Sequence, residues 1–370
     1  MNSRSNPRLE TLAAKLDSLK IDAMLVTDEV NVRYLSGFTG DSSALLVTTD
    51  QTTVLSDGRY DTQLADECPT LLTAIRPPDQ TLTQLIAEFL ASAGLQRIGI
   101  ESNQWTLAAF NMLSQTCTSV GWVQTTGVVE GQRMIKDADE IAITRRAVDI
   151  AERAFQSILP MLPGRWTERE VAHELESKMR FLGAEGCSFS PIVAAGPMGA
   201  LPHYHPRDQK LIDPSLGGEP TLLVDWGAKY KGYASDLTRT LHLPNASDRF
   251  RRAYAAVLEA QLAAIDAIRP GAKASDIDAI ARGVLQRHGM ADAFIHGLGH
   301  GTGLQIHESP RMSASSPEAL SAGMIVTVEP GVYFAGEFGI RIEDDVLVTP
   351  SGHEVLSRLP KGLEQSEWLL

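Results

Sequence analysis

The sequence predicts an α+β protein in which a C-terminal domain of two duplicated halves follows a smaller α/β domain. Three observations lead there. Apolar runs of strand length alternate with helical periodicity through the first third of the chain, a turn-rich stretch then precedes one long helix, and the second half repeats itself at a spacing near 100 residues. The domains are placed at 1–129 and 130–370.

In chain order, Arg8 to Lys20 has an amphipathic helical pattern, and Ala23 to Val26, Ala44 to Thr48 and Thr52 to Ser56 read as strands. Helical periodicity returns over Thr81 to Ala93 and Thr106 to Gln115, with a short strand at Arg97 to Ile100 between them. The turn residues of Thr125 to Gly131 separate this domain from a long helix over Asp137 to Leu159.

The 370 residues are 43% hydrophobic and 21% charged, enough for two cores. A net charge of −13, with no lysine- and arginine-rich stretch, argues against a nucleic-acid partner and for a small or peptide substrate. No apolar run approaches the roughly 18 residues of a membrane span. The N-terminal segment carries charges throughout, unlike a signal peptide, and Cys68, Cys117 and Cys187 are odd in number and far apart. These features read as a cytoplasmic protein with reduced thiols.

The repeat emerges by counting. Pro163-Gly164 recurs as Pro270-Gly271 after 107 residues, each pair followed by a helix, the first with Thr167 and Glu170 spaced as a capping box and the second opened by Ser275. His203 precedes Asp225 by 22 residues, and His307 precedes Glu329 by 22, both pairs related by an offset of 104. Asp236 and Glu343 are again 107 apart. Carboxylate maps onto carboxylate and histidine onto histidine, as two fused half-domains about a pseudo-twofold axis would require.

Asp225, Asp236, His300, Glu329 and Glu343 form the candidate metal set. Four carboxylates and one imidazole offer mostly oxygen ligands, which suits a pair of Mn²⁺, Co²⁺ or Zn²⁺ ions in a hydrolase better than a structural zinc. Thr221 to Ala228 and Tyr233 to Leu243 are strand-like, and a hairpin centred on Tyr230-Lys231 would set Asp225 directly opposite Asp236. Carboxylates that close need a proton or a cation between them. An acid dyad of the aspartic-protease kind is the alternative for the aspartates alone; the other three residues favour metal.

His300 lies in Ile295-His296-Gly297-Leu298-Gly299-His300-Gly301-Thr302-Gly303, whose glycine spacing matches neither a dinucleotide fingerprint nor a phosphate loop. Glycine on both sides of His300 lets backbone come near a crowded site. His203, His296 and His307 read as further site residues, whereas His205, His288 and His353 read as structural. Strand alternation puts Arg341 on the face of Glu343, where a cation would orient the ligand or offset its charge. Asp344 and Asp345 are not included among the ligands.

The motifs VDWGAKYKGYASDLTRT, HGLGHGTGLQIHE, TVEPGVY and GIRIEDD resemble those of the pita-bread metallopeptidases, in the branch of Xaa-Pro aminopeptidases and Xaa-Pro dipeptidases (prolidases). Tyr34-Leu35-Ser36-Gly37-Phe38-Thr39-Gly40 and Ser56-Asp57-Gly58-Arg59-Tyr60 resemble the creatinase-like N-terminal domain of the same branch, so the similarity spans nearly the whole chain.

The resemblance implies a pita-bread catalytic domain after a creatinase-like domain, and two divalent metal ions with manganese first. It implies Asp225 on one metal, His300 and Glu329 on the other, and Asp236 and Glu343 bridging both, with a bridging water or hydroxide as nucleophile and Glu329 as proton carrier. His203 and His307 would hold the substrate and stabilise the tetrahedral intermediate, with His296 a third pocket histidine and Arg341 supporting the site. The substrate implied is a peptide whose second residue is proline, and the assembly a homodimer. Aminopeptidase is preferred to dipeptidase because no insertion closes the site. Methionine aminopeptidase, creatinase-type amidinohydrolase and non-catalytic binding modules share the fold. The first usually lacks the preceding domain, the second works without metal, and the third has lost ligands. Met198 departs from the polar residue common at its place, which bears on substrate preference.

Overall fold

The Asn6 side chain accepts the N–H groups of Arg8 and Leu9 and so caps the first helix of the computed structural model, which describes residues 6–162 and 166–368. Pro163-Gly164, one end of the first repeat offset, lies outside the described residues. The chain divides into two units, Met1–Arg133 and Met134–Leu370.

In the first unit, the segment expected as one helix is two, α1 (Pro7–Ala13) and α2 (Leu16–Leu19). The Lys15 N–H bonds the Leu12 carbonyl, tightening the chain out of α-helical register, and Lys20 at φ +57° ends the second piece. Strands β1 (Ala23–Val26), β2 (Ala44–Thr48), β3 (Thr52–Asp57), β4 (Leu72–Arg76), β5 (Arg97–Glu101) and β6 (Gly121–Thr125) form one sheet in the order β4-β3-β2-β1-β5-β6. The pairs β1–β2 and β2–β3 are antiparallel and the remaining neighbours parallel. Helices α3 (Glu29–Ser36), α4 (Asp61–Glu67), α5 (Leu82–Ala93), α6 (Leu107–Thr116) and α7 (Glu130–Arg133) complete the unit. Leu25, Leu46 and Ile98 from the sheet pack with Leu90 and Leu113 from α5 and α6.

The second unit opens with α8 (Ala138–Ile158), capped by Asp137 and Glu140 in a capping box, and α9 (Glu168–Phe181), where Thr167 and Glu170 form the box the sequence announces. Their apolar faces cover β8 (Ile192–Ala195), β9 (Thr221–Trp226) and β12 (Leu237–His242), the sheet of the first half. Trp226 stacks on Phe155 at 4.2 Å and donates its indole N–H to the Ala151 carbonyl. A smaller sheet joins β7 (Gly186–Cys187), β10 (Ala228–Tyr230) and β11 (Tyr233–Ala234).

In the second half, α10 (Asp248–Asp266) and α11 (Ala274–Arg287) pack on a sheet of β13 (Gly299–Gly301), β14 (Glu308–Met312), β15 (Ile325–Val328), β18 (Asp344–Thr349) and β19 (Gly352–Val355), beside the hairpin β16 (Gly331–Phe334) and β17 (Phe338–Arg341). Ser275 does not open α11. Its N-cap is Lys273, which makes no side-chain cap, and the Ala274 N–H instead bonds the Glu318 carbonyl beside a bridge from Lys273 to Ala319. The antiparallel pair β15–β18 is the counterpart of β9–β12, so the sequence repeat is a structural one.

The hairpin register differs from expectation. Lys231 (φ +47°) and Gly232 (φ +86°) are the central residues, a turn with both φ values positive, and Tyr230 pairs with Tyr233. Asp225 therefore faces Thr238, and Asp236 is its diagonal neighbour. Glycine decides the matter: the tight turn places Gly232 inside the loop, where centring on Tyr230-Lys231 would leave it outside.

Among the described residues no helix is long and apolar enough to cross a membrane.

Candidate metal centre

The repeat delivers the carboxylates to equivalent places. Asp236 and Glu343 stand immediately before β12 and β18, Asp225 is the penultimate residue of β9, and Glu329 follows β15 directly. His300 is the middle residue of β13.

Backbone contacts hold His300. A Cβ on Gly299 would lie 2.2 Å from the Thr327 carbonyl oxygen, and one on Gly301 2.2 Å from that of Ser309, so only glycine fits on either side. The His300 N–H donates to Thr327 Oγ1 at 3.1 Å, and the Thr327 hydroxyl donates to Glu329 Oε1 at 3.3 Å. Nδ1 lies 3.0 Å from the Gly301 carbonyl, which can only accept, so Nδ1 carries the proton and Nε2 a lone pair. That lone pair faces Asp236 Oδ2 and Glu329 Oε1, each at 3.5 Å.

Three acceptors thus converge where only a proton or a metal cation can satisfy them. Asp236, His300 and Glu343 offer ligand atoms within 4.8 Å of one another. Asp225 Oδ1 and Glu343 Oε1 are buried without a hydrogen-bond partner, so the oxygen-rich donor set fits a divalent cation in chemical type.

Electrostatics agrees. Burial first, then the charges of Glu343 and Asp225, pushes Asp236 well above the usual carboxylate range. Burial, then Glu329 and Asp225, does the same for Glu343, and burial lifts Glu329 to about 8 against the opposing pull of Arg341. Without metal the fold answers its crowded carboxylates by holding protons. Burial, then the neighbouring His307, lowers His300 to about 4 and keeps it neutral.

Arg341 is buried and donates to Asp225 Oδ2 at 2.5 Å, Thr238 Oγ1 at 3.1 Å and the Tyr333 oxygen at 2.8 Å. Toward Glu343 it acts through its charge and through Thr238, whose hydroxyl donates to Glu343 Oε2 at 2.7 Å. Tyr333 in turn bonds His296 Nε2 at 2.8 Å, while His296 Nδ1 bonds the Gly297 carbonyl. Burial, then Arg341, lowers His296 to about 4.

His203 and His307 are exposed at the rim. The His307 ring meets His300 edge-on at 4.3 Å, and the charge of His203 acts on Asp225, His296 and His307. Arg311, opposite His300 in the β13–β14 register, is exposed and acts on both His300 and His307. Met198 packs against Ile192, Ala194, Tyr204 and Leu223. His288 bonds Glu259 and His353 the Ile268 carbonyl.

Sequence reasoning passes over Thr238, Thr327, Tyr333 and Arg311, and leaves Asp344 and Asp345 out of the ligand set. The two threonines carry a signal, since each stands two residues from a candidate ligand on one strand face. Asp344 pairs with Arg239 and Lys361, and Asp345 accepts the Asp236 N–H at 2.9 Å.

Residues 142–350 match Metallopeptidase family M24, and residues 8–135 match the Creatinase/Prolidase N-terminal domain. The chain belongs to the M24 metallopeptidases. The M24 enzyme is 37% identical to an uncharacterised Bacillus subtilis peptidase, YqhT, over 96% of this chain and 99% of the relative. Its fold superposes on an Xaa-Pro dipeptidase from Bacillus anthracis with a TM-score of 0.91 at 35% identity, covering 96% and 98% of the two chains. The X-Pro aminopeptidase from Thermotoga maritima follows at 0.85 and 31%, covering 94% and 99%. The pita-bread fold, the creatinase-like domain before it and a peptidase activity are therefore properties of this chain.

Proposed function

We propose that this M24 peptidase hydrolyses the bond between an N-terminal residue and a following proline, as an Xaa-Pro aminopeptidase using two divalent ions, manganese first. The convergence of acceptor atoms on one point, from Asp236, His300 and Glu329 with Glu343 beside them, carries the reading. Asp225, Asp236, His300, Glu329 and Glu343 would hold the ions. When bound, such ions polarise the scissile carbonyl and acidify water.

The chain's own groups supply the rest. Proline nitrogen lacks an N–H and needs a proton to leave; Glu329, as the proton carrier, would take one from the attacking water and pass it to that nitrogen. His203 and His307, both exposed, would offer N–H donors to the developing oxyanion. Arg341 orients Asp225 and, through Tyr333, His296. A homodimer and a cytoplasmic location belong to the same proposal; light scattering on the eluting protein tests the first.

A dipeptidase is the second reading, favoured by Arg311. An exposed cation opposite His300 on the neighbouring strand, whose charge acts on His300 and His307, would attract the free carboxylate of a dipeptide. Cleavage of Ala-Pro and Ala-Pro-Ala by protein loaded with Mn²⁺, Co²⁺ or Zn²⁺ separates the two. Hydrolysis of the tripeptide supports the aminopeptidase, hydrolysis of the dipeptide alone reverses the order, and hydrolysis of neither sinks both.

A further inference from the structure

Behind one rim histidine lies a buried acid that this chemistry does not use. Glu168, the first residue of α9, is wholly buried. Its Oε1 accepts the N–H of Ala195, the last residue of β8, at 2.9 Å, and its Oε2 accepts the Tyr204 hydroxyl at 2.8 Å and the Arg207 N–H at 3.1 Å. The segment between these anchors opens with a 3₁₀ helix, Gly196–Ala200, and carries His203 and His205 exposed beyond it. Two backbone bonds, from the N–H of Glu168 to the Gln209 carbonyl and from Arg169 to Arg207, tie the same segment to the start of the helix.

An apolar side chain of this size would fill the space but leave three donors unmatched, so the carboxylate supplies direction as well as bulk. A helix N-terminus also favours the negative charge. The second half uses a similar device. Asp278 on α11, also wholly buried, accepts the Leu298 N–H at 3.1 Å and pairs with Arg282, which donates to the carbonyls of Phe294 and His296. Each half-domain thus ties a histidine-bearing loop to its own helix through a buried acid.

We propose that Glu168 is a positioning residue that sets His203 over the centre by fixing its loop at Tyr204 and Arg207, an inference that rests on the reading of His203 as a substrate-holding group. The carboxylate touches no reacting atom and acts only through the loop.

The test is a double-mutant cycle on manganese-loaded protein, with Glu168→Gln, His203→Ala and the pair, reading kcat and KM on Ala-Pro and Ala-Pro-Ala. Glu168→Gln keeps the shape but turns an amide NH₂ toward donors, and is expected to lower kcat about 10- to 100-fold with bound metal unchanged. In the His203→Ala background it should cost nothing further, because the group it acts through is gone. Losses that multiply, or an unchanged kcat, overturn the proposal. Should His203→Ala leave kcat intact, it is the reading of His203 that fails. Amide hydrogen exchange then judges the clamp: residues 195–207 should exchange faster in Glu168→Gln while 296–312 keep the wild-type rate, and equal exchange overturns it. If Glu168→Gln does not fold, Tyr204→Phe removes one donor and keeps the ring in its apolar cluster; faster exchange at Arg207 supports the clamp and an unchanged rate refutes it.

Discussion

Arg341 and Asp225 meet head-on, a guanidinium nitrogen 2.5 Å from Oδ2 with both side chains buried. The arginine's direct partner is thus the aspartate of the other half-domain, and Glu343, two residues away, is reached through Thr238. One cation therefore ties the two halves together at the centre.

Removing that cation leaves Asp225 buried and uncompensated. Arg341→Met should destabilise the chelated protein by about 3 kcal/mol or more, since breaking one partner of a buried pair costs far more than the pair gains. Urea unfolding measures it, and added Mn²⁺ should recover part of the loss. A variant as stable as wild type would show that the pair carries no charge.

The pH dependence of the metal-free protein follows from the raised carboxyls. Asp236, Glu343 and Glu329 bind protons more tightly in the fold than in the open chain. Their contribution is complete below the ordinary carboxylate pKa and lost as pH rises through the folded value, about 8 for Glu329. The melting temperature in chelator should fall between pH 5 and pH 8, by roughly 5 °C or more, and hold steady once metal is bound. Calorimetry in two buffers should also show protons released on loading.

His296 should titrate near 4, against an ordinary 6.5, because burial and the Arg341 charge both disfavour its cation. Its folded pKa is depressed, so the fold loses stability as pH falls from about 6.5 toward 4. Histidine ring signals followed by NMR give the midpoint; a value near 6.5 would place the ring in solvent.

Gly299→Ala drives a Cβ to within 2.2 Å of a carbonyl oxygen on β15, and backbone cannot yield as a side-chain tip can. A loss of about 2 kcal/mol or more is expected, together with metal, since the His300 N–H to Thr327 contact sits beside the clash. Normal metal content would show that the strand can shift.

Asp236→Ala takes away a carboxylate expected to serve both ions. Bound metal measured by emission spectroscopy should fall to one ion per chain or fewer. Unchanged stoichiometry would remove Asp236 from the bridging position.

Much of this was readable in the sequence because periodicity, caps and repeats are local signals. Thr81, Thr106, Asp137 and Thr167 each cap the helix they announce. The four candidate carboxylates could be found because duplicated spacing points to them without any contact being known, and His300 because glycines bound it on both sides. What stayed hidden depends on contacts distant in the chain. Arg341 finds Asp225 across 116 residues, and Glu168 finds Tyr204 across 36. The cap of α11 escaped because Glu318 and Ala319 do the work of the missing side chain. The hairpin register turned on which pair of residues takes positive φ, and Gly232 was the available clue.

That turn touches no reacting atom, yet it decides which residue looks across at Asp225. Side chains alternate along a strand, so one residue added between Tyr230 and Tyr233 would swap the inward and outward sets beyond it, burying what should face the ions. Lys231 can be exchanged for other residues that accept the left-handed region. The number of residues cannot change. The turn acts as the site's counter, and length there is under tighter constraint than identity.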